Sequence, residues 1–321
     1  MRLPRLSPAG FRTLVAVTLA SLIAVTVVGA GVRLTGSGLG CSTWPNCEAD
    51  SFTPRSASDV NAMIEFVNRL VNAAVGLLTM ATVAGAIRRY PRRPDLVWWS
   101  LGVFGWVAGN GVVGAAVVLL DLSPVSVIAH FALALGAIWN ATVLLQRAGE
   151  EVGGARRRVA ATRRFVTAVK VLLVAAMVML AAGTVVTGSG PHAGDERADR
   201  LALEVGTVAR VHGATVIAFL ALTLAVIRLA HQGEAAPQVT HRLHELLVVV
   251  VAQGAIGYWQ YFTGIPALLV AVHVLGATLV WTAVLRVWLS LHVPAAVPAT
   301  GSPVPASAPP GTAAPAGVRA P

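Results

Sequence analysis

Residues 253–273 read QGAIGYWQYFTGIPALLVAVH, and the chain has carried the same plan once before, at residues 110–130, NGVVGAAVVLLDLSPVSVIAH. Each copy opens on an amide side chain followed by G-x-x-G. An apolar run comes next, then a loop with one proline, then an apolar segment that carries a histidine. Amide and histidine stand 20 residues apart in both copies, and the copies are offset by 143 residues. A membrane hairpin has been duplicated. Each copy places an ionisable ring inside an apolar helix, where such groups are costly and as a rule functional.

The composition points the same way. Over 321 residues, 56% are hydrophobic and 12% charged, and the mean hydropathy is +0.73, which excludes a soluble domain. Apolar runs near twenty residues recur, each long enough to cross a hydrocarbon core of ~30 Å. We read spans near residues 14–32, 62–87, 96–120, 125–145, 165–187, 208–229, 243–262 and 267–289. The expected fold is an all-α integral membrane protein of eight transmembrane helices, arranged as two pseudo-symmetric four-helix bundles in a parallel internal repeat. The halves are residues 1–146 and 165–291, joined by a linker at 147–164. The Pro/Ala-rich tail, 292–321, holds too little apolar surface to fold and is expected to be disordered.

The net charge of +10 has no need of nucleic acid as a partner. Arginines crowd the loops at 88–93 and 147–164, which places those loops and both termini in the cytoplasm, with membrane lipid around the helices. The setting expected is the plasma membrane of a bacterium. Gly105-x-x-x-Gly109, with Gly111 and Gly114, predicts close backbone approach in the third span. Cys41 and Cys47 share the first outer loop and lack the C-x-x-C-H pattern of covalent haem attachment. In an oxidising compartment they are expected to form a disulfide, either a structural staple or a redox pair.

Three histidines carry the chemistry. His130, His212 and His273 fall within predicted helices, a few residues in from the outer ends and so at one depth, roughly 10 Å. Two imidazoles facing each other across a bundle can take both axial positions of a haem iron; the plainer reading is a hydrogen-bonded core histidine. The 143-residue offset puts the counterpart of His212 at Arg69 or Asn68, in MIEFVNRLVNAAVG. Glu65 and Asn68 share a helix face. Glu65 is then either a rim charge paired with Arg69 at i+4 or a catalytic carboxylate. His192, in an outer loop, and His231, His241, His244 and His292, near the inner surface, are expected to be solvated or interfacial.

Taken together, the duplication, the TGSG with its cysteine pair, the Glu65-x-x-Asn68-Arg69 motif and the histidines of helices four, six and eight resemble the haem A synthases. The resemblance extends to about Leu291. It implies a haem b in the C-terminal half, held by His212 and His273, and a haem O substrate in the N-terminal half, at Glu65, Asn68, Arg69 and His130. It implies oxidation of a ring methyl to a formyl group by two successive hydroxylations, with loss of water from the resulting diol. Glu65 would serve as acid/base or proton relay. The product, haem A, would serve a terminal oxidase. A haem O-forming protohaem farnesyltransferase and the oxidase are the implied neighbours, and the electron donor is not indicated. Arg69 and Arg210 suit either haem propionates or interfacial anchoring. Asn68 stands where many members carry histidine, which leaves His130 as the one strong ligand of the substrate iron and an open position opposite. Two competing readings are a diheme b-type electron-transfer cytochrome, which needs two six-coordinate haems, and a transporter of haem or another hydrophobic ligand.

Overall fold

The computed structural model describes residues 5–150 and 157–294. Eight long helices dominate: α1 (Pro8–Leu34), α2 (Val60–Arg88), α3 (Pro94–Leu119), α4 (Pro124–Ala148), α5 (Arg163–Ser189), α6 (Val205–Leu229), α7 (Pro237–Phe262) and α8 (Ala267–Ser290). Their starts are written in the sequence. Ser7, Asp59, Thr162 and Glu204 accept hydrogen bonds from the first-turn N–H groups of α1, α2, α5 and α6, and proline opens α1, α3, α4 and α7. Both devices satisfy or remove donors that a helix start leaves unpaired.

Seven of the eight helices are long and apolar enough to cross a membrane. The remaining one, α7, has 26 residues and packs along α8, but Gln253 and Gln260 interrupt its apolar run. It also begins at Pro237, ahead of the expected 243. Val239, Leu243 and Leu246 bury one side of that first stretch, while His241 and His244 stay exposed.

Within residues 8–148, neighbours pack in the order α1–α2–α3–α4, and α4 closes on α1. Helices α5 to α8 repeat that circuit, and α8 joins the two sets by packing on α1 and α4. The indole of Trp281 donates to the Leu135 carbonyl at 3.0 Å across this seam. The duplicated hairpins share their turn as well. Asp121 and Leu122 (φ 49° and 59°) and, 143 residues on, Gly264 and Ile265 (φ 80° and 59°) occupy the left-handed region, which non-glycine residues seldom enter.

The largest packed cluster lies toward the arginine-rich end, with smaller ones under the outer loops around Cys41–Cys47 and Leu122. Phe11 and Val15 of α1, Leu96 of α3, Leu144 of α4, Phe165 of α5, Leu243 of α7 and Leu285 of α8 are fully or almost fully buried in the largest one. Thr18 and Thr82 join α1 to α2 through a hydroxyl pair at 2.8 Å. Toward the opposite end the helices part around a cavity.

Two expectations need correction. Close approach in α3 is not at Gly105, Gly109 or Gly111, where a Cβ would meet nothing within 4 Å; Gly111 instead borders the cavity. The close approach occurs at Gly102, against Asn140, and at Gly114, against His130. The tail is not disordered from its first residue. A short strand, β2 (His292–Pro294), pairs antiparallel with β1 (Arg157–Val159) of the linker and ties the two together. Residues 295–321, the rest of the expected tail, lie outside the described residues, as do linker residues 151–156.

Candidate functional site

One cavity of about 960 Å³ is lined by both halves, and it collects the residues singled out in the sequence: Glu65, Asn68, Arg69, His130, Arg210, His212 and His273. Its volume is at the upper end of the range for small-molecule and cofactor sites.

The three histidines are mounted alike. His130 and His273 are each the seventh residue of their helix, and His212 is the eighth of α6. Each ring rests on a glycine of the neighbouring helix: His130 on Gly114, His273 on Gly257 and His212 on Gly183. A Cβ built on those glycines would lie 3.0 Å, 3.0 Å and 3.2 Å from the ring's Cε1. Gly114 and Gly257 are the closing glycines of the two G-x-x-G segments. Their spacing from the amide is therefore a consequence of having to seat a ring. For His130 and His273, Nε2 is the nitrogen farther from the glycine, and it is free to serve a ligand, while Nδ1 is buried. The Gln253 amide clamps α7 to α8 by donating to the His273 carbonyl at 2.7 Å.

In the C-terminal half two rings meet. His212 and His273 have centroids 6.5 Å apart with planes at 84°. This pair, on opposite helices at one depth, with glycine cradles that a side chain would fill, fits the axial ligands of a haem. In the N-terminal half no second ring accompanies His130 among the described residues. Asn68 lines the cavity on α2, where its Oδ1 and carbonyl accept from the Asn72 amide at 3.2 Å and 2.8 Å.

Glu65 is 3% exposed, and both of its oxygens are engaged. Oε2 accepts from the Cys41 N–H at 2.7 Å and Oε1 from Arg69 Nη2 at 2.5 Å. Cys41 and Cys47 are joined as expected. Arg69 Nη1 donates to the carbonyls of Thr43, Pro45 and Asn46 at 2.9, 3.3 and 3.0 Å. The disulfide loop is thus folded onto the carboxylate and its arginine partner, with Trp44 reaching the cavity. The i+4 pair with Arg69 that belongs to the rim-charge reading is present, but Glu65 is buried in the cavity lining and not solvated at a rim. The Cys41 contact was not legible, since it spans a 24-residue separation through a backbone donor.

Arg210 is exposed at the rim. It donates to Thr207 Oγ1 at 2.9 Å and lies 3.6 Å from Glu204. Glu204 caps α6; its contact with the Thr207 hydroxyl, aided by the Thr207 and Gly206 N–H groups and Arg210, holds its carboxyl below the usual range. His192 Nε2 lies 2.9 Å from the Ile265 carbonyl, joining two outer loops and making it a loop clasp rather than a solvated ring.

The sequence pattern of the cytochrome oxidase assembly proteins (COX15-CtaA) matches residues 12–193, more than half of the chain. The chain belongs to that family. Among curated relatives it is similar to the heme A synthase of Exiguobacterium sibiricum, 29% identical over 41% of this chain and 45% of that protein. It is 34% identical to the heme A synthase of Symbiobacterium thermophilum over 39% of this chain and 41% of that protein. It is also 34% identical to a protoheme IX farnesyltransferase of Thermus thermophilus, over 36% of this chain and 22% of that protein. The match therefore spans less than half the length of each of these relatives. The family's matched region contains Glu65, Asn68, Arg69 and His130, whereas His212 and His273 lie beyond it.

Proposed function

We propose that this family member is a haem A synthase: it oxidises a methyl group of haem O to a formyl group, for use by a terminal oxidase. The observation that carries the reading is the asymmetry of the two half-sites within one cavity. One has a histidine pair, and the other has a single histidine accompanied by a buried carboxylate. An electron-transfer protein with two equivalent haems has no use for that asymmetry.

In this reading His212 and His273 hold a resident haem b, which supplies one-electron transfer when bound. His130 would receive the iron of the substrate, and Asn68, in the same lining, would offer it no strong ligand. Each hydroxylation would insert one atom of dioxygen into a C–H bond of the methyl group, with two electrons and two protons reducing the other atom to water, and the diol would then lose water to leave the aldehyde. Loss of water carries a proton from one hydroxyl to the other, which departs as water. Glu65 uses one lone pair on each oxygen for Cys41 and Arg69, and the remaining lone pairs can accept that proton. Arg69 and the disulfide loop keep the carboxylate fixed and shield it from water. The arginine-rich end faces the cytoplasm of a bacterial cell. A protohaem farnesyltransferase that makes haem O and the oxidase that takes haem A are the partners in this reading.

The test is to express the full chain with a source of haem O, purify it and identify the extracted haems by mass. Haem B together with haem A, or with a hydroxylated haem O, is the expected result. Haem B alone, at two per chain, would overturn the enzyme reading.

The glycine seats give a second test. Gly257→Val places branched carbon against His273, and overpacking of this sort costs about 1–3 kcal/mol. Haem affinity at the histidine pair is expected to fall about tenfold or more. Gly105→Val, on α3 and outside the cavity lining, sits where a Cβ meets nothing within 4 Å and should leave the absorption spectrum unchanged. Equal effects of the two changes would show that the seat is not what positions the ring.

A further inference from the structure

Arg33, near the end of α1, lines the cavity where the two halves meet. Its Nη2 donates to the Thr187 carbonyl of α5 at 2.7 Å, and its stem packs on Gly194 of the α5–α6 loop. Its Nε is buried with no hydrogen-bond partner. No carboxylate among the described residues forms an ion pair with it, Asp199 of the cavity lining included, and the charged neighbour acting on it is a second cation, Arg200. A guanidinium in such a place, at the edge of an apolar cavity with no counter-charge, is expensive unless an anion completes it. The other two arginines of the lining are already engaged, Arg69 by Glu65 and the disulfide loop, Arg210 by Glu204 and Thr207. Aligning the two TGSG segments puts Val185 opposite Arg33 in the second half, so the site is single and not part of the duplication.

We propose that Arg33 is the counter-charge for a carboxylate of the haem bound in this cavity, holding it at the seam between the halves. Guanidinium presents paired N–H donors that match a carboxylate, and the two Nη groups, of which only Nη2 is engaged by Thr187, can serve as that pair. The assignment rests on the haem reading above and adds the residue that fixes the ligand's polar edge.

The experiment follows loss of haem from the purified full chain to apomyoglobin. Wild type, Arg33→Gln and Arg33→Lys are each loaded with haem B or with its dimethyl ester, in which both carboxylates are blocked. One phase of loss is expected to quicken about 10- to 100-fold in Arg33→Gln, the range of a lost charge-assisted contact. Esterified haem should leave wild type as fast as that, with no further change on adding Arg33→Gln, and Arg33→Lys should recover most of the slow phase. The ester comparison in wild type needs no substitution, so it stands even if Arg33→Gln fails to fold. Equal loss of acid and ester from wild type overturns the role of Arg33 while leaving the haem reading intact. So does an Arg33→Gln effect that persists undiminished on the ester. A wild-type protein that retains no haem at all overturns both.

Discussion

Glu65→Gln is expected to lower formation of the formyl product by about 10²- to 10⁴-fold, the range spanned by loss of a positioned proton-transfer group. Glutamine keeps nearly the same shape, and its carbonyl can still accept from the Cys41 N–H. What it loses is the proton-accepting charge and the ion pair with Arg69. That loss has its own cost: removing one partner of a buried pair is worth about 3–5 kcal/mol. Arg69 keeps the three loop carbonyls, so part of its polar demand stays met. The histidine pair of the other half is a built-in control. If Glu65→Gln retains the haem spectrum of the His212–His273 site while haem O accumulates unconverted, the carboxylate acts in the chemistry. Unchanged product formation in folded protein would reduce Glu65 to an anchor for the disulfide loop.

The parts of this molecule that could be read from the sequence are those in which a short stretch carries its own constraint. Duplicated hairpins, capped helix starts and the i+4 spacing of Glu65 and Arg69 are local, and helical periodicity converts them directly into geometry. The cysteine pair is local too. The location of the core was not legible, because leucine and valine look alike in sequence whether they face another helix, a cavity or lipid. Hence the spans were found, while the concentration of tight helix packing toward the arginine-rich end was not. Gly105 and Gly109 illustrate the same limit. Their spacing suits a helix contact, but the face they occupy meets no neighbour, and the contacts fall on Gly102 and Gly114. Arg33 escaped notice for a different reason. A single arginine at a helix end reads as an interfacial anchor, and only its burial with no carboxylate partner among the described residues marks it out.

Asn68→His is expected to convert the N-terminal half-site into a second histidine pair. Thr35 and Thr187 open the two TGSG segments, and by that alignment Gly31 of α1 corresponds to Gly183, the seat of His212. A Cβ at Gly31 meets nothing within 4 Å, whereas at Gly183 it would touch the imidazole. A glycine stands at the aligned position in both halves, and the histidine stands in one. An asparagine amide is a poor iron ligand, and here its oxygen already accepts from Asn72, so reduced wild-type protein should bind about one carbon monoxide per chain, at the haem ligated by His130 alone. Histidine at position 68, which lines the cavity, would compete for that coordination position. Carbon monoxide binding should then weaken at least tenfold, by about 1.4 kcal/mol or more, with a second low-spin haem signal in place of a high-spin one. Carbon monoxide binding unchanged by Asn68→His would mean that position 68 does not face the iron. A wild-type protein that binds none would mean that some other group already closes the site, and the asymmetry on which the enzymatic reading rests would be lost.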